Sequence, residues 1–201
     1  MTSGKLIHRA RAYDVMVWLL LHGKERAFRE RLLDLAPVTA GQSVLDIGFV
    51  TGSLTIAASR RVGANGIAHG IDGAGEMIER ARVKATKAHV NATFTHAIVE
   101  EMPFPDNHFD VVLASLMFHH LRRAVREQCA REMQRVLKPG GKALVVEFGR
   151  DGKSLIERLH KHGAVELSGI HDVLRSAGFE IAESGLVGVQ GLNFTLARTS
   201  T

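Results

Sequence analysis

The sequence is poor in several residue types that build specialised sites. Its 201 residues include one cysteine, one tryptophan, one tyrosine and four prolines. A lone thiol, Cys129, excludes a disulfide within the chain and a metal site made of several cysteines, and we predict no metal site. No apolar run reaches the roughly 20 residues of a transmembrane helix. The net charge of +5 is scattered along the chain, which disfavours nucleic acid as a partner.

An apolar run, VMVWLLL at residues 15–21, follows several basic residues near the N-terminus. It lacks the small-residue cleavage site of a signal peptide, so we expect a cytoplasmic protein. A basic segment with Trp18 is also typical of helices on a membrane surface, which keeps peripheral membrane contact as an alternative. We favour an N-terminal helix that covers the sheet and a ligand cleft.

From residue 43 onward, short apolar runs alternate with helical patterns. Continuous apolar strands separated by helices are typical of a parallel sheet covered on both faces, in a doubly wound α/β fold. Strands are predicted at residues 43–48, 66–72, 92–99, 109–117, 142–149, 180–184 and 192–197. Helices are predicted at residues 53–63, 75–88, 124–137, 155–160 and 169–177, with a turn at 138–141. We expect residues 1–40 to form a helical lid and residues 41–201 one compact domain.

Acidic side chains stand where the first two predicted strands end. In such sheets ligands bind beyond the carboxyl ends of the strands, where the strand order reverses. Asp46 is an acceptor for loop amides or a ligand ammonium group, and Asp72 is placed to accept hydrogen bonds from two ribose hydroxyls. The alternative for Asp72 is a helix N-cap ahead of residues 75–88.

Five segments in this order resemble class I methyltransferases that use S-adenosylmethionine (SAM), in particular the ubiquinone/menaquinone biosynthesis C-methyltransferase group. They are VLDIGFVTGSLT, GIDGAGEMIERAR, EEMPFPDNHFDVV, SLMFHHL and REMQRVLKPGGKALVVEFG. The resemblance covers roughly residues 13–179. It implies a Rossmann-like, mostly parallel seven-stranded sheet, SAM as cofactor, S-adenosylhomocysteine as product, and a small-molecule acceptor.

The resemblance also implies a set of cofactor-binding residues. Asp46, Gly48 and Gly52 match the acid and the outer glycines of the first loop, and Asp72 matches the ribose-binding acid. Gly73 and Met77 match residues that flank the adenosine, and Ile98 and Val99 match residues that contact the adenine. Ser115 and Leu116 match residues on the SAM and substrate side, and Tyr13 resembles a lid residue near the methionine carboxylate.

Two positions depart from the family pattern. The family loop has a glycine where this chain has Val50, preceded by Phe49, and β-branched valine is ill suited to a positive φ. Ile98 stands where an aspartate normally takes the adenine amino group. These departures leave open a second hypothesis, a catalytically silent protein with the methyltransferase fold that acts as a binder or partner subunit.

Two adjacent histidines are the candidate catalytic groups. Imidazole titrates near neutral pH, so His119 and His120 are suited to act as a general base for methyl transfer, and packing of a strand-to-helix turn is the alternative. The apolar 15–21 segment favours a small lipophilic acceptor. The loop lacks the GxGxxG register of NAD-dependent reductases, and no Pro-Pro-aromatic motif of amino-group methylation follows the fourth strand. A homo-oligomer remains open.

Overall fold

The computed structural model describes residues 24–149, 167–189 and 191–200. These residues form a seven-stranded sheet with helices on both faces. The helices are α1 (Glu25–Leu35), α2 (Ser53–Val62), α3 (Gly75–Ala88), α4 (Arg123–Val136) and α5 (Leu167–Ser176). The strands are β1 (Ser43–Ile47), β2 (Ile67–Asp72), β3 (Ala92–His96), β4 (Phe109–Ser115), β5 (Leu137–Phe148), β6 (Glu180–Leu186) and β7 (Leu192–Arg198). A short 3₁₀ helix, Phe118–His120, follows β4.

The strand order is β3-β2-β1-β4-β5-β7-β6, and β7 is the strand that runs against the others. The predicted doubly wound, mostly parallel seven-stranded sheet is therefore confirmed. The strand order reverses between β1 and β4. In sheets of this kind, ligands bind beyond the carboxyl ends of the strands at such a reversal.

The central strands contribute side chains to two apolar cores, because successive side chains point to opposite faces of the sheet. Val44 and Leu113 pack with α1 and α2 on one face, whereas Leu45 and Val112 pack with α4 and α5 on the other. A third cluster lies under α3 and includes Phe49 and Phe94. These buried contacts fix the strand ends, and with them the loops that carry the candidate site.

Most predicted elements occur within a few residues of their expected limits, with two exceptions. β3 ends at His96 instead of residue 99, because the chain turns just beyond it: Ile98 and Glu101 form an isolated antiparallel bridge, and the Glu101 N–H bonds to the Ile98 carbonyl at 3.4 Å. β5 begins at Leu137, and the predicted turn is a bulge within it, where the register with β4 shifts and Gly140 has φ +71°.

Parts of the predicted lid lie outside the described residues, namely Tyr13 and the 15–21 segment, as does the predicted helix at 155–160. The described α1 packs Phe28, Leu32 and Leu33 into the same core as β1 and β4. In the described ranges no helix is both long and apolar enough to cross a bilayer.

Candidate cofactor and active site

The loop after β1 is packed so closely that two of its positions require glycine. Gly48 and Gly52 have φ values of +66° and +73°. A Cβ added to Gly48 would lie 2.9 Å from Met117 Cβ, and one added to Gly52 would lie 2.7 Å from Ala81 Cβ. Glycine is the residue that adopts such backbone angles without strain. The loop therefore sits between α3 and the segment that follows β4.

Phe49 and Val50 of the first loop face the core under α3. Phe49 is 6% exposed, and its ring lies 4.9 Å from that of Phe94. Val50 adopts φ +53°, donates its N–H to Asp72 Oδ2 at 3.1 Å, and packs against the same apolar cluster. The chain thus keeps a positive φ at the position where the family has glycine, at a cost in backbone strain.

Asp46 is almost completely buried at the end of β1. It is 2% exposed, and the Thr55 hydroxyl donates to its Oδ2 at 2.7 Å. Burial raises the pKa of Asp46 to about 7 from an ordinary value of 3.8, and the nearby Asp72 adds to this rise. A cationic group of a ligand would favour the ionised form. Asp46 is therefore a buried acceptor whose ionisation depends on the charges near it.

Asp72 links the first loop to the start of α3. Its Oδ2 accepts the Val50 N–H at 3.1 Å and its Oδ1 accepts the Ala74 N–H at 2.9 Å. Burial raises the pKa of Asp72, and these backbone bonds oppose the rise. Ala74, not Asp72, is the N-cap residue of α3. Since a carboxylate oxygen accepts more than one hydrogen bond, both oxygens retain capacity for a pair of ribose hydroxyls.

The predicted adenosine neighbours are partly exposed and partly in the core. Gly73 is half-buried, and its carbonyl lies 2.9 Å from His96 Nε2. Met77 is 1% exposed, and Val99 is also buried. Ile98 is half-buried and pairs with Glu101 in an isolated bridge. Their contact with an adenine ring stays a prediction.

Ser115 and Leu116 lie at the carboxyl end of β4, next to the first loop. Both are half-buried. Leu116 has φ +56°, and its N–H bonds to the Val146 carbonyl at 2.8 Å. Two residues with positive φ, Val50 and Leu116, therefore follow β1 and β4, the strands on either side of the reversal. Backbone strain of this kind is common at functional sites.

The two candidate catalytic histidines form one aromatic pair in the 3₁₀ helix after β4. The rings of His119 and His120 lie 3.9 Å apart. His119 Nδ1 lies 2.7 Å from Oε2 of Glu147, at the end of β5. Glu147 was not predicted as a site residue, because it stands inside an apolar strand. Its one signal is a carboxylate among valines near a strand end, where a buried charge needs partners.

The donor set of this edge fits an adenosyl ligand. Asp72 offers two acceptor oxygens to vicinal hydroxyls, Gly48 in the first loop carries no side chain and is half-buried, and Asp46 provides a buried carboxyl group at the end of β1. The described ranges contain no group of three or more His, Cys, Asp or Glu side chains arranged to hold a metal ion.

Comparison with known proteins agrees with this geometry. Residues 44–141 match a family described as a methyltransferase domain. The ubiquinone/menaquinone biosynthesis C-methyltransferase UbiE of Azotobacter vinelandii is 37% identical over 153 residues, which are 75% of this chain and 60% of that protein. The UbiE protein of an Enterobacter species is 37% identical over 178 residues, which are 88% of this chain and 68% of the relative. The chain thus spans about 60% of the length of the Azotobacter relative.

Solved structures share the fold. A SAM-dependent methyltransferase from Aquifex aeolicus superposes with a TM-score of 0.73 at 24% identity, over 85% of this chain and 88% of that one. The [4+2]-cyclase SpnF gives a TM-score of 0.72 at 19% identity, over 86% of this chain and 80% of that one. Together with the sequence relatives and the matched methyltransferase domain, the shared fold shows that the chain belongs to the class I SAM-dependent methyltransferases, in the group of the ubiquinone/menaquinone biosynthesis C-methyltransferases.

Proposed function

We propose that this chain transfers a methyl group from SAM to a ring carbon of a small lipophilic acceptor of the quinone type. The observation that carries the proposal is the meeting of Asp72, the Gly48–Gly52 loop and His119 at one edge of the sheet. The relatives supply the acceptor class, since they are named as C-methyltransferases of ubiquinone and menaquinone biosynthesis.

The cofactor would be held by residues of three strand ends. Asp72 would accept the two ribose hydroxyls, and the Gly48–Gly52 turn would let the backbone approach the ligand. Gly73, Met77, Ile98 and Val99 would flank the adenosine. When bound, SAM supplies a sulfonium methyl, so that the new carbon–methyl bond forms as the sulfur–methyl bond breaks and S-adenosylhomocysteine leaves.

His119 would act on the acceptor as a general base. A ring carbon of a reduced quinone becomes strongly nucleophilic when a ring hydroxyl loses its proton, and His119 Nε2 would accept that proton. His120, whose ring packs against that of His119 at a tilt, would line the same side of the site. A positioned base contributes about 10²- to 10⁴-fold to such a step.

The test is an acceptor screen with the purified protein. We expect SAM and a reduced naphthohydroquinone with a short prenyl chain to give a product heavier by one methylene unit, identified by mass spectrometry. The His119→Gln variant should form it about 10²- to 10⁴-fold more slowly. Methylation of hydrophilic catechols alone would exclude the quinone-type acceptor.

A calorimetric titration separates this function from the silent alternative. We expect micromolar binding of SAM and of S-adenosylhomocysteine to the wild-type protein. No heat and no thermal shift at millimolar ligand would mean that the fold is kept without its cofactor.

Location and assembly belong to the same proposal. A cytoplasmic protein that contacts the membrane peripherally through its N-terminal segment would meet a lipophilic acceptor there. Flotation of the protein with vesicles containing the prenylated acceptor, compared with vesicles lacking it, tests the contact. Light scattering tests whether the chain forms a homo-oligomer.

A further inference from the structure

We propose that Glu147 is a positioning residue that holds His119 in one tautomer, with the proton on Nδ1 and the lone pair on Nε2. The proposal rests on the proposed function in one respect, namely that His119 Nε2 accepts the proton of the acceptor. Glu147 itself would touch neither acceptor nor cofactor. It would act through the orientation and the tautomer of the imidazole ring.

The hydrogen bonds of Glu147 define its role. Its Oε1 accepts the backbone N–H of Phe118 at 2.6 Å and that of His119 at 3.3 Å. Its Oε2 lies 2.7 Å from His119 Nδ1. Backbone N–H groups only donate, so the group they hold is an acceptor, and a carboxylate in turn requires Nδ1 to carry a proton. The lone pair of a neutral ring then resides on Nε2.

The burial of Glu147 argues against a purely incidental contact. The residue is 1% exposed, and it follows the buried Val145 and Val146. Burying a carboxylate is costly unless it is hydrogen-bonded, and these bonds go to a single short turn after β4. A carboxyl group therefore stands in an apolar strand, and its hydrogen bonds hold the His119 turn.

The ring of His119 is held from several sides at the cofactor edge of the sheet. It packs against His120 at 3.9 Å and against Phe148 at 5.4 Å between ring centroids. Arg126, another charged neighbour, donates its Nε to the Phe118 carbonyl at 2.8 Å. Met117, which precedes the turn, faces Gly48 of the first loop. The oriented imidazole thus lies beside the loop expected to hold the cofactor.

The Glu147→Gln variant tests the proposal without changing the size of the side chain. The amide oxygen can still accept the Phe118 N–H, and the amide NH₂ then faces His119 Nδ1. A donor at this place forces Nδ1 to become the acceptor and moves the proton to Nε2, which removes the base.

Nitrogen-15 NMR of histidine-labelled protein reads the tautomer directly, at a pH where the ring is neutral. We expect Nδ1–H in the wild type and Nε2–H in Glu147→Gln, with the His119 signals assigned from their loss in His119→Gln. With the naphthohydroquinone probe, kcat should fall about 10²- to 10⁴-fold, while KM and the Kd for SAM stay within about threefold.

Two further variants keep the test decisive. Glu147→Asp retains a carboxylate, so it should keep the Nδ1–H tautomer and have a kcat between those of the wild type and Glu147→Gln. If Glu147→Gln fails to fold, an Nε2–H tautomer in Glu147→Asp would overturn the proposal. Glu132→Gln is the matched control, since Glu132 likewise accepts a backbone N–H, that of Met102, at 2.6 Å, but lies on α4. It should change neither the tautomer nor kcat.

The outcomes separate this inference from the proposed function. An Nε2–H tautomer in the wild type, or an unchanged tautomer in Glu147→Gln, would overturn the role of Glu147. The expected tautomers combined with no methylation of any quinol would overturn the proposed acceptor and retain the positioning of His119.

Discussion

At the scale of single residues, Val50 bears the most informative backbone angle. Its φ of +53° places a β-branched side chain in the left-handed region, which costs about 1–2 kcal/mol. The Asp72 carboxylate holds its N–H and the cluster under α3 holds its side chain. The positive φ of Val50 is thus held by neighbouring residues and not by the conformational freedom of a glycine.

Replacing Val50 with glycine should therefore tighten cofactor binding. Removal of the side chain lets a ligand approach the backbone, so we expect the Kd for SAM to fall about 5- to 30-fold, equivalent to 1–2 kcal/mol. Relief of the backbone strain should appear separately, as a gain in stability of the free protein. Calorimetry on Val50→Gly and the wild type measures this. An unchanged or weaker affinity would show that Val50 is a natural part of the site.

His89→Gly provides the matched control for strain alone. His89 ends α3 with φ +52°, is exposed, and lies at the opposite end of the helix from Asp72. Glycine is the preferred residue at such a helix end, so this variant should gain stability by about 1 kcal/mol and leave the affinity for SAM unchanged.

At the scale of elements, the first loop and α3 are joined by side chains from both. Asp72 bonds the Val50 and Ala74 N–H groups, and Lys84 Nζ donates to Thr51 Oγ1 at 3.0 Å and to Ser53 Oγ at 2.6 Å. The loop and the helix therefore form one unit on which the cofactor site depends.

Asp72→Ala should weaken both this joint and the cofactor site. The Val50 and Ala74 N–H groups would lose their acceptor, which should lower the free energy of unfolding by about 2–3 kcal/mol. Loss of the proposed ribose acceptor should raise the Kd for SAM at least tenfold, which is about 1.4 kcal/mol. Urea denaturation and calorimetry measure the two effects.

Asp110→Asn separates stability from binding. Asp110 also accepts a backbone N–H, that of Ser43 at 2.8 Å, and pairs with Lys138, but it lies at the amino end of β4. This variant should lose stability and keep its affinity for SAM. Equal losses of affinity in both variants would mean that Asp72 acts through folding alone.

The elements were predictable to the extent that apolar periodicity marks them. β1 and β4 are mostly buried apolar runs and β2 is buried in part, and the limits of all three follow from the sequence within two residues. The end of β3 was not predictable, because it is set by the bridge between Ile98 and Glu101, and residues 97–101 contain no proline or glycine that would signal a turn. The pairing of Glu147 with His119 likewise requires β4 and β5 to be adjacent, which no local pattern shows.

At the scale of the whole molecule, two buried groups give folding opposite pH dependences. The pKa of Asp46 is raised to about 7, so its contribution to stability is lost as the pH rises from about 4 to about 7. Burial lowers the pKa of His69 to about 4, so its contribution is lost as the pH falls from about 6.5 to about 4. The two effects partly cancel between pH 4 and 6.5.

Comparison of Asp46→Asn with the wild type isolates the first effect. A difference of about three pKa units corresponds to about 4 kcal/mol, which is the upper limit for the buried ionised group. We expect the stability of Asp46→Asn relative to the wild type to increase between about pH 4 and about pH 7 in urea denaturation and to level off above that. A constant difference over this range would contradict the raised pKa of Asp46.

The position of β7 has a consequence for how the protein folds during synthesis. β7 lies between β5 and β6 although it follows both in the chain. β6 therefore leaves the ribosome before the strand that pairs with it, and must wait unpaired until β7 emerges. The half that carries the Gly48–Gly52 loop and Asp72 is under no such delay, since β1 to β4 pair with strands made before β6. A nascent chain stalled after β5 should thus already have a formed cofactor edge, with the last two strands as the slow, aggregation-prone step.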